Sequence, residues 1–131
     1  MKTERDLGIW MDHQSAHLME FTTDPIITKT IDSKFTHEAK EQALHKGESL
    51  MHHKEQQEEA EYYKELGEII RNYDHVILFG PTEAKVELFN MLRKDHRFNA
   101  IQIAIEPTDK MTTNQQHAFV KKYFSNRLSL I

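Results

Sequence analysis

A run of four apolar residues, Val76-Ile77-Leu78-Phe79, constrains the fold more than any other feature of this sequence. The run lies between Asp74 and Gly80, so an extended strand there would carry apolar side chains on both of its faces. Such a run is typical of a central parallel strand, which is buried on both sides. The sequence therefore predicts a sheet with helices covering it.

The residues on either side of this run predict further strands. Leu7, Ile9 and Met11 alternate with other residues, the polar tetrad 12–15 interrupts, and alternation resumes over 16–21, which is typical of a hairpin. A second turn over 22–25 leads into the β-branched stretch 26–31, a third predicted strand. A last strand is predicted from Ile101, Ile103 and Ile105, with its end at Pro107.

Three segments have the apolar spacing of amphipathic helices. The first extends from Tyr62 to Tyr73. The second follows the Gly80-Pro81-Thr82 turn, for which we predict Thr82 as the N-cap. The third begins at a capping box formed by Thr112 or Thr113 with Gln115 or Gln116. The apolar faces of the second and third helices comprise Ala84, Leu88, Phe89 and Leu92, and Phe119, Val120, Tyr123 and Phe124.

The predicted order of elements is β-β-β-α-β-α-β-α. An antiparallel meander followed by two βα crossovers gives a mixed sheet of about five strands, with the first strand in a central position. We therefore predict an α/β fold, a ribonuclease-H-like three-layer domain, and a single domain over residues 1–131.

The composition limits the possible functions. The chain of 131 residues has no cysteine, which excludes disulfides, a thiol nucleophile and cysteine-type zinc sites. No apolar run is long enough for a membrane span, and the first residues do not have the pattern of a secretory signal, so we expect a cytoplasmic protein without membrane contact. The formal charge of -4 argues against a general nucleic-acid coat, and no DNA partner is expected.

The mean hydropathy of -0.70 is low because polar residues are concentrated in 35–57, predicted to be a mobile segment.

Three blocks of the sequence resemble a family of small bacterial proteins often labelled translational machinery proteins. Residues 8–16 (GIWMDHQSA) resemble their WIDHREA opening, and residues 76–88 (VILFGPTEAKVEL) resemble their ILIVGPGTAKTEL segment. Residues 106–116 (EPTDKMTTNQQ), with Tyr123 and Phe124, resemble their ETMDHPTDGQL…YF end. The blocks occur in the same order and span most of the chain.

That family is similar in turn to the middle domain of the class I release factors of archaea and eukaryotes, and of their relative Pelota. Residues 79–85 correspond to the LAGSADFK strand-to-helix turn of those domains. In release factors the loop between the third strand and the long helix carries a Gly-Gly-Gln tripeptide. Here that stretch, residues 35–57, contains Gly47-Glu48-Ser49 and no Gly-Gly-Gln. The resemblance therefore implies a relative of the release-factor domain that does not hydrolyse peptidyl-tRNA.

Candidate phosphate-binding residues occur in three places. In the first, the turn containing Gly80 and Thr82 precedes a helix whose first turn carries Lys85, an arrangement that can hold a phosphate but equally a capped βα turn. The second and third groups end the second helix and occupy the last one, where cations also complement the helix dipole. They are Arg93, Lys94 and Arg97, and Lys121 and Lys122.

Two metal-dependent alternatives are open at the level of sequence. A nuclease of the ribonuclease-H-like type would use Asp12 after the first strand, with further carboxylates from Glu61 or Glu65, Asp74 and Asp109. A histidine site would use His45, His52 and His53, although their spacing matches no zinc motif and a solvated polar segment explains them as well. No metal and no cofactor is expected.

The sequence thus leads to three hypotheses about function. The first is a non-catalytic accessory factor that binds the ribosome or tRNA and resembles the release-factor middle domain. The second is the metal-dependent nuclease. The third is an interaction module that forms homo-oligomers through a sheet edge or through its apolar tail, Leu128, Leu130 and Ile131.

Overall fold

The computed structural model describes residues 5–21, 28–33 and 60–129, with side chains up to residue 125. Its strands are β1 (Asp6–Met11), β2 (Ser15–Glu20), β3 (Thr28–Asp32), β4 (His75–Gly80) and β5 (Gln102–Pro107). Its helices are α1 (60–70), α2 (Ala84–Arg93), a short 3₁₀ helix (His96–Phe98) and α3 (Thr113–Ser129). The predicted element order is confirmed. The second predicted turn, the start of the third predicted strand and the polar segment 35–57 lie outside the described residues.

The five strands form one mixed sheet in the order β3-β2-β1-β4-β5. β1 pairs antiparallel with β2 and parallel with β4, so the prediction of a central first strand is confirmed. β4 also pairs in parallel with β5. Every residue of β1 and of β4 is buried, which is the two-sided burial that the apolar run predicted.

The alternation of side chains along the strands divides the interior into two cores. On one face, Leu7, Ile9, Val76 and Leu78 pack with α1 and α2. On the opposite face the core is aromatic and packs with α3; its buried members are Trp10, Met19, Ile77, Phe79, Val120 and Phe124. The domain therefore has three layers, with α1 and α2 on one side of the sheet and α3 on the other.

A glycine allows α3 to lie close to the sheet. A Cβ atom on Gly8 of β1 would lie 2.3 Å from Cγ2 of Val120, so only glycine fits at this crossing. The predicted capping box begins α3: the Thr112 amide donates to Gln115 Oε1 at 2.9 Å, and the Gln115 amide donates to Thr112 Oγ1 at 3.2 Å. Gln116 then joins the helix to β2, with its Oε1 2.8 Å from His17 Nδ1.

One predicted helix start is wrong by a residue. The N-cap of α2 is Glu83, not Thr82, and its side chain makes no capping hydrogen bond. Thr82 still contributes to the helix start, because its Oγ1 accepts from the Ala84 amide at 3.3 Å. Within the described residues no helix is both long and apolar enough to cross a membrane.

Candidate functional site

The sheet has a switch point at the carboxyl ends of β1 and β4. These strands are adjacent and parallel, but the chain leaves β1 toward β2 on one side and leaves β4 toward α2 and β5 on the other. Open α/β sheets bind ligands in the crevice at such points. The carboxyl edge of the sheet, formed by the β1–β2 turn and the β4–α2 turn, is therefore the candidate site.

Asp12 organises the β1–β2 turn. Its Oδ1 accepts hydrogen bonds from the amides of Gln14 and Ser15, each at 2.8 Å, and its own amide donates to the Ser15 carbonyl at 3.0 Å. The Tyr62 hydroxyl of α1 donates to the Asp12 carbonyl at 3.0 Å. Burial raises the pKa of Tyr62 far above its usual value, helped by the charges of Asp12 and Asp32, so this hydroxyl remains a neutral donor.

Gly80 brings the second turn against the first. Its φ is 150°, and a Cβ atom there would lie 2.1 Å from the Met11 carbonyl oxygen. The Gly80 carbonyl accepts from the Thr108 amide at 3.1 Å. The Thr108 hydroxyl is buried and has no hydrogen-bond partner within the described ranges. The ends of β1, β4 and β5 thus meet at a position that only glycine can occupy.

The β4–α2 turn is held together by hydrogen bonds among its own residues. Lys85 is only 3% exposed, and its Nζ donates to the Thr82 carbonyl. The Glu83 carbonyl accepts from the Val86 and Glu87 amides at 2.9 and 3.0 Å. A phosphate bound by Gly80, Thr82 and Lys85 would first have to displace the Lys85 side chain from this internal bond.

A second cluster at this edge joins three elements, and no sequence pattern predicts it. The Tyr63 hydroxyl of α1 donates to Glu87 Oε1 of α2 at 2.7 Å. Nε2 of His13, in the β1–β2 turn, lies 3.2 and 3.3 Å from the two Glu87 carboxylate oxygens. His13 and Glu87 keep 42% and 46% of their side-chain surface exposed, so the cluster is open to solvent. The one signal in the sequence that could have indicated this cluster is a histidine in a turn beside a central strand.

The candidate cations of α2 and the 3₁₀ helix lie at the opposite, amino edge of the sheet. Arg97 is engaged with Asp95, with its terminal guanidinium nitrogen 2.7 Å from Asp95 Oδ2, and it lies 3.7 Å from Glu68. The hydrogen bonds from the Arg97 side chain and backbone lower the pKa of Asp95 to about 2. Arg93 lies over the Phe89 ring at 5.5 Å, and Lys94 is exposed.

Lys121 and Lys122 are both exposed, on the helix that covers the other face of the sheet. The predicted phosphate-binding residues therefore fall in three separate places: the carboxyl edge, the amino edge and α3. The fold does not gather them into one basic patch.

The three aspartates proposed for a nuclease, Asp12, Asp74 and Asp109, do not share a site. Asp12 follows the carboxyl end of β1, whereas Asp74 precedes the amino end of β4, where its Oδ2 accepts from the Arg5 amide at 2.8 Å. The length of β1 places them ~20 Å apart. Asp109 follows β5 at the edge where Asp12 lies. The part of the chain that the structure describes contains no group of three His, Asp or Glu residues that could hold a metal ion, and His45, His52 and His53 lie outside it.

Comparisons with known proteins found a similarity of fold but no similarity of sequence. No protein-family profile matches the chain, and no curated protein matches it. Solved structures do match: the Pelota protein of Thermoplasma acidophilum has a TM-score of 0.57 at 16% identity, and it is covered over 32% of its length by 89% of this chain. For Archaeoglobus fulgidus Pelota the TM-score is 0.59 at 9% identity, with 92% of this chain covering 32% of that one.

An archaeal translation termination factor, aRF1, is similar as well, with a TM-score of 0.55 at 12% identity, and 95% of this chain covers 39% of that protein. The chain thus spans about a third of the length of these structures. At these identities the likeness is one of fold. The chain has the fold of a domain shared by Pelota and the termination factor aRF1.

Proposed function

We propose that the protein is a non-catalytic accessory factor of translation, located in the cytoplasm, that binds the ribosome or tRNA. The observation that carries this proposal is the likeness to Pelota and the termination factor, which extends over 89–95% of the chain. Fold alone does not define function, so the proposal rests on this likeness together with the sequence blocks that resemble translational machinery proteins.

The sequence supports a role without hydrolysis. Its four glycines, Gly8, Gly47, Gly67 and Gly80, are never adjacent, so a Gly-Gly-Gln tripeptide is absent. Gly8 and Gly80 occupy positions where a Cβ atom would collide with Val120 or with the Met11 carbonyl, so these two serve the fold. The tripeptide that the resemblance assigns to peptidyl-tRNA hydrolysis is therefore absent from the sequence.

Exposed lysines supply the contacts that RNA binding needs. Lys121 and Lys122 lie side by side on the outer helix α3, exposed to solvent. Lysine contacts with phosphate release counterions, so binding through such residues weakens steeply as salt rises. With a formal charge of -4 on the whole chain, we expect modest affinity that is seen at low salt.

Co-sedimentation with ribosomes on a low-salt sucrose gradient tests the proposal. We expect the wild type to migrate with ribosomes and the Lys121→Glu/Lys122→Glu variant to bind several-fold less. The matched control is Lys29→Glu/Lys64→Glu, which changes the net charge equally at exposed positions on β3 and α1. Wild type that stays at the top of the gradient refutes the proposal, and equal loss in both variants refutes the role of α3.

Residues 35–57 enter the proposal as a second RNA contact, although they lie outside the described residues. The release-factor domain carries its functional loop at this point of the chain. Replacing 35–57 by a glycine-serine linker of equal length should reduce ribosome binding while leaving the unfolding transition of the domain unchanged. Undiminished binding would assign the contact to the sheet domain alone.

A further inference from the structure

The central part of the outer edge of β5 has no backbone partner among the described residues. β5 is an edge strand of the sheet that these residues form. The amides of Gln102 and Thr108 donate to the carbonyls of Asp74 and Gly80, at 3.0 and 3.1 Å. Because backbone groups alternate along a strand, the even-numbered residues bond to β4 and the N–H and C=O groups of Ile103 and Ile105 point away from the sheet.

The two ends of that edge offer no donor. The Ile101 amide already donates to the Phe98 carbonyl at 3.1 Å, and Pro107 has no amide hydrogen. Ile103 and Ile105 therefore each present a donor and an acceptor at this edge, whereas Ile101 and Pro107 present no donor. This pattern is symmetric about Ala104.

We propose that β5 pairs antiparallel with β5 of a second copy of the chain, about a two-fold axis at Ala104. Ile103 of one copy then lies opposite Ile105 of the other, and each such pair exchanges two backbone hydrogen bonds, roughly four in all. Ile101 lies opposite Pro107 of the second copy, where neither residue has a donor to lose. An exposed strand edge is a known template for such pairing.

The side chains on the α2 side of the sheet fit the same arrangement. Ile103 and Ile105 are only half-buried in the single chain and would cover each other across the two strands. Beside them a cleft of about 410 Å³ is lined by Phe89, Phe98 and Ile101 among others. Ala104 is small, so the two copies can approach closely at the axis.

Two pairs of variants test the interface. Sedimentation equilibrium of the wild type should give twice the 15.5 kDa mass of one chain. Ile105→Pro removes an outward amide and should give a monomer, while the matched Ile105→Val keeps the amide and should give a dimer.

The second pair of variants uses cysteine, which the chain lacks. Ala104→Cys should form a disulfide-linked dimer under mild oxidation, because directly opposite residues that are not hydrogen-bonded to each other have Cα atoms about 4.5 Å apart in an antiparallel pair. Thr30→Cys, on the other edge strand, should not.

Several results would overturn the proposal. These are a wild type that is monomeric into the millimolar range, cross-linking of Thr30→Cys as fast as of Ala104→Cys, or a dimer in which Ala104→Cys does not cross-link. The cysteine variants keep the test decisive if Ile105→Pro fails to fold. The dimer does not depend on ribosome binding, so either proposal can fail while the other holds.

Discussion

At the scale of single residues, Gly80 is the most constrained position in the described chain. Its φ is positive, and a Cβ atom there would lie 2.1 Å from the Met11 carbonyl oxygen, which is backbone that cannot move aside. We expect Gly80→Ala to lower the free energy of unfolding by about 2–4 kcal/mol. Urea unfolding followed by circular dichroism measures it.

Gly67→Ala is the matched control for that experiment. Gly67 lies in α1, and an added Cβ atom would meet the ends of the Leu92 and Phe98 side chains at 3.2 and 3.4 Å. These atoms can shift slightly, and alanine favours the helix by about 1 kcal/mol. The control should therefore stay within about 1 kcal/mol of the wild type; equal losses in both variants would contradict the role assigned to Gly80.

Asp95 has the other residue-scale property that can be measured directly. Arg97 lowers its pKa from 3.8 to about 2, so any stabilisation from this pair is present above pH 3.8 and is lost as the pH falls toward 2. In an NMR titration, Arg97→Ala should raise the pKa of Asp95 toward its usual value. Arg93→Ala, which removes a cation not in contact with Asp95, should leave it unchanged.

Residue-scale features were the hardest to predict from the sequence. Thr82 has a side chain that is common at N-caps, yet the N-cap is Glu83. The turn that begins at Gly80 determines where the helix starts, and the local residue preference does not. The contact of His13 with Glu87 joins residues 74 apart in sequence, and Tyr63 completes it from a third element. The spacing of residues along the chain does not predict such a long-range contact.

At the scale of elements, prediction succeeded where a few adjacent residues carry the signal. The run Val76–Phe79 is fully buried within β4, and Thr112 with Gln115 begins α3 as the capping box predicted. Both signals are local, because burial on two faces and capping each show in a few adjacent residues. The residues that pair with a strand edge lie far away in the sequence or in another chain. The sequence therefore predicted only the general possibility of association through an edge.

The contact of α3 with β1 gives an element-scale prediction. Gly8→Ala places a Cβ atom 2.3 Å from Val120 Cγ2 in the buried interface, and we expect a loss of about 1–3 kcal/mol. Val120→Ala alone leaves a cavity and should cost about 2 kcal/mol. The double variant should be more stable than the sum of the two losses implies by about 1 kcal/mol or more. If the two losses of unfolding free energy measured in urea simply add, then α3 moves away from β1 in the Gly8→Ala variant and the two side chains do not clash.

At the scale of the whole molecule, protection of backbone amides from hydrogen exchange should follow the sheet order. The amides of the buried central strands β1 and β4 should exchange most slowly, near the rate set by global unfolding. The Ala104 amide, which faces β4, should be protected at every protein concentration. Protection of Ile103 and Ile105 should rise with concentration as the dimer forms; protection that does not depend on concentration would contradict pairing through this edge.

The pairing of β1 with β4 also determines how the molecule can vary and how fast it folds. Asp6 and His75, whose side chains lie 2.9 Å apart, are separated by 69 positions in the sequence. The need to close that loop slows folding, because the central pair of strands cannot form without it. The entropy of closure grows only with the logarithm of loop length, about 0.6 kcal/mol for each doubling. The chain between β3 and α1 can therefore lengthen or shorten considerably between relatives at little thermodynamic cost.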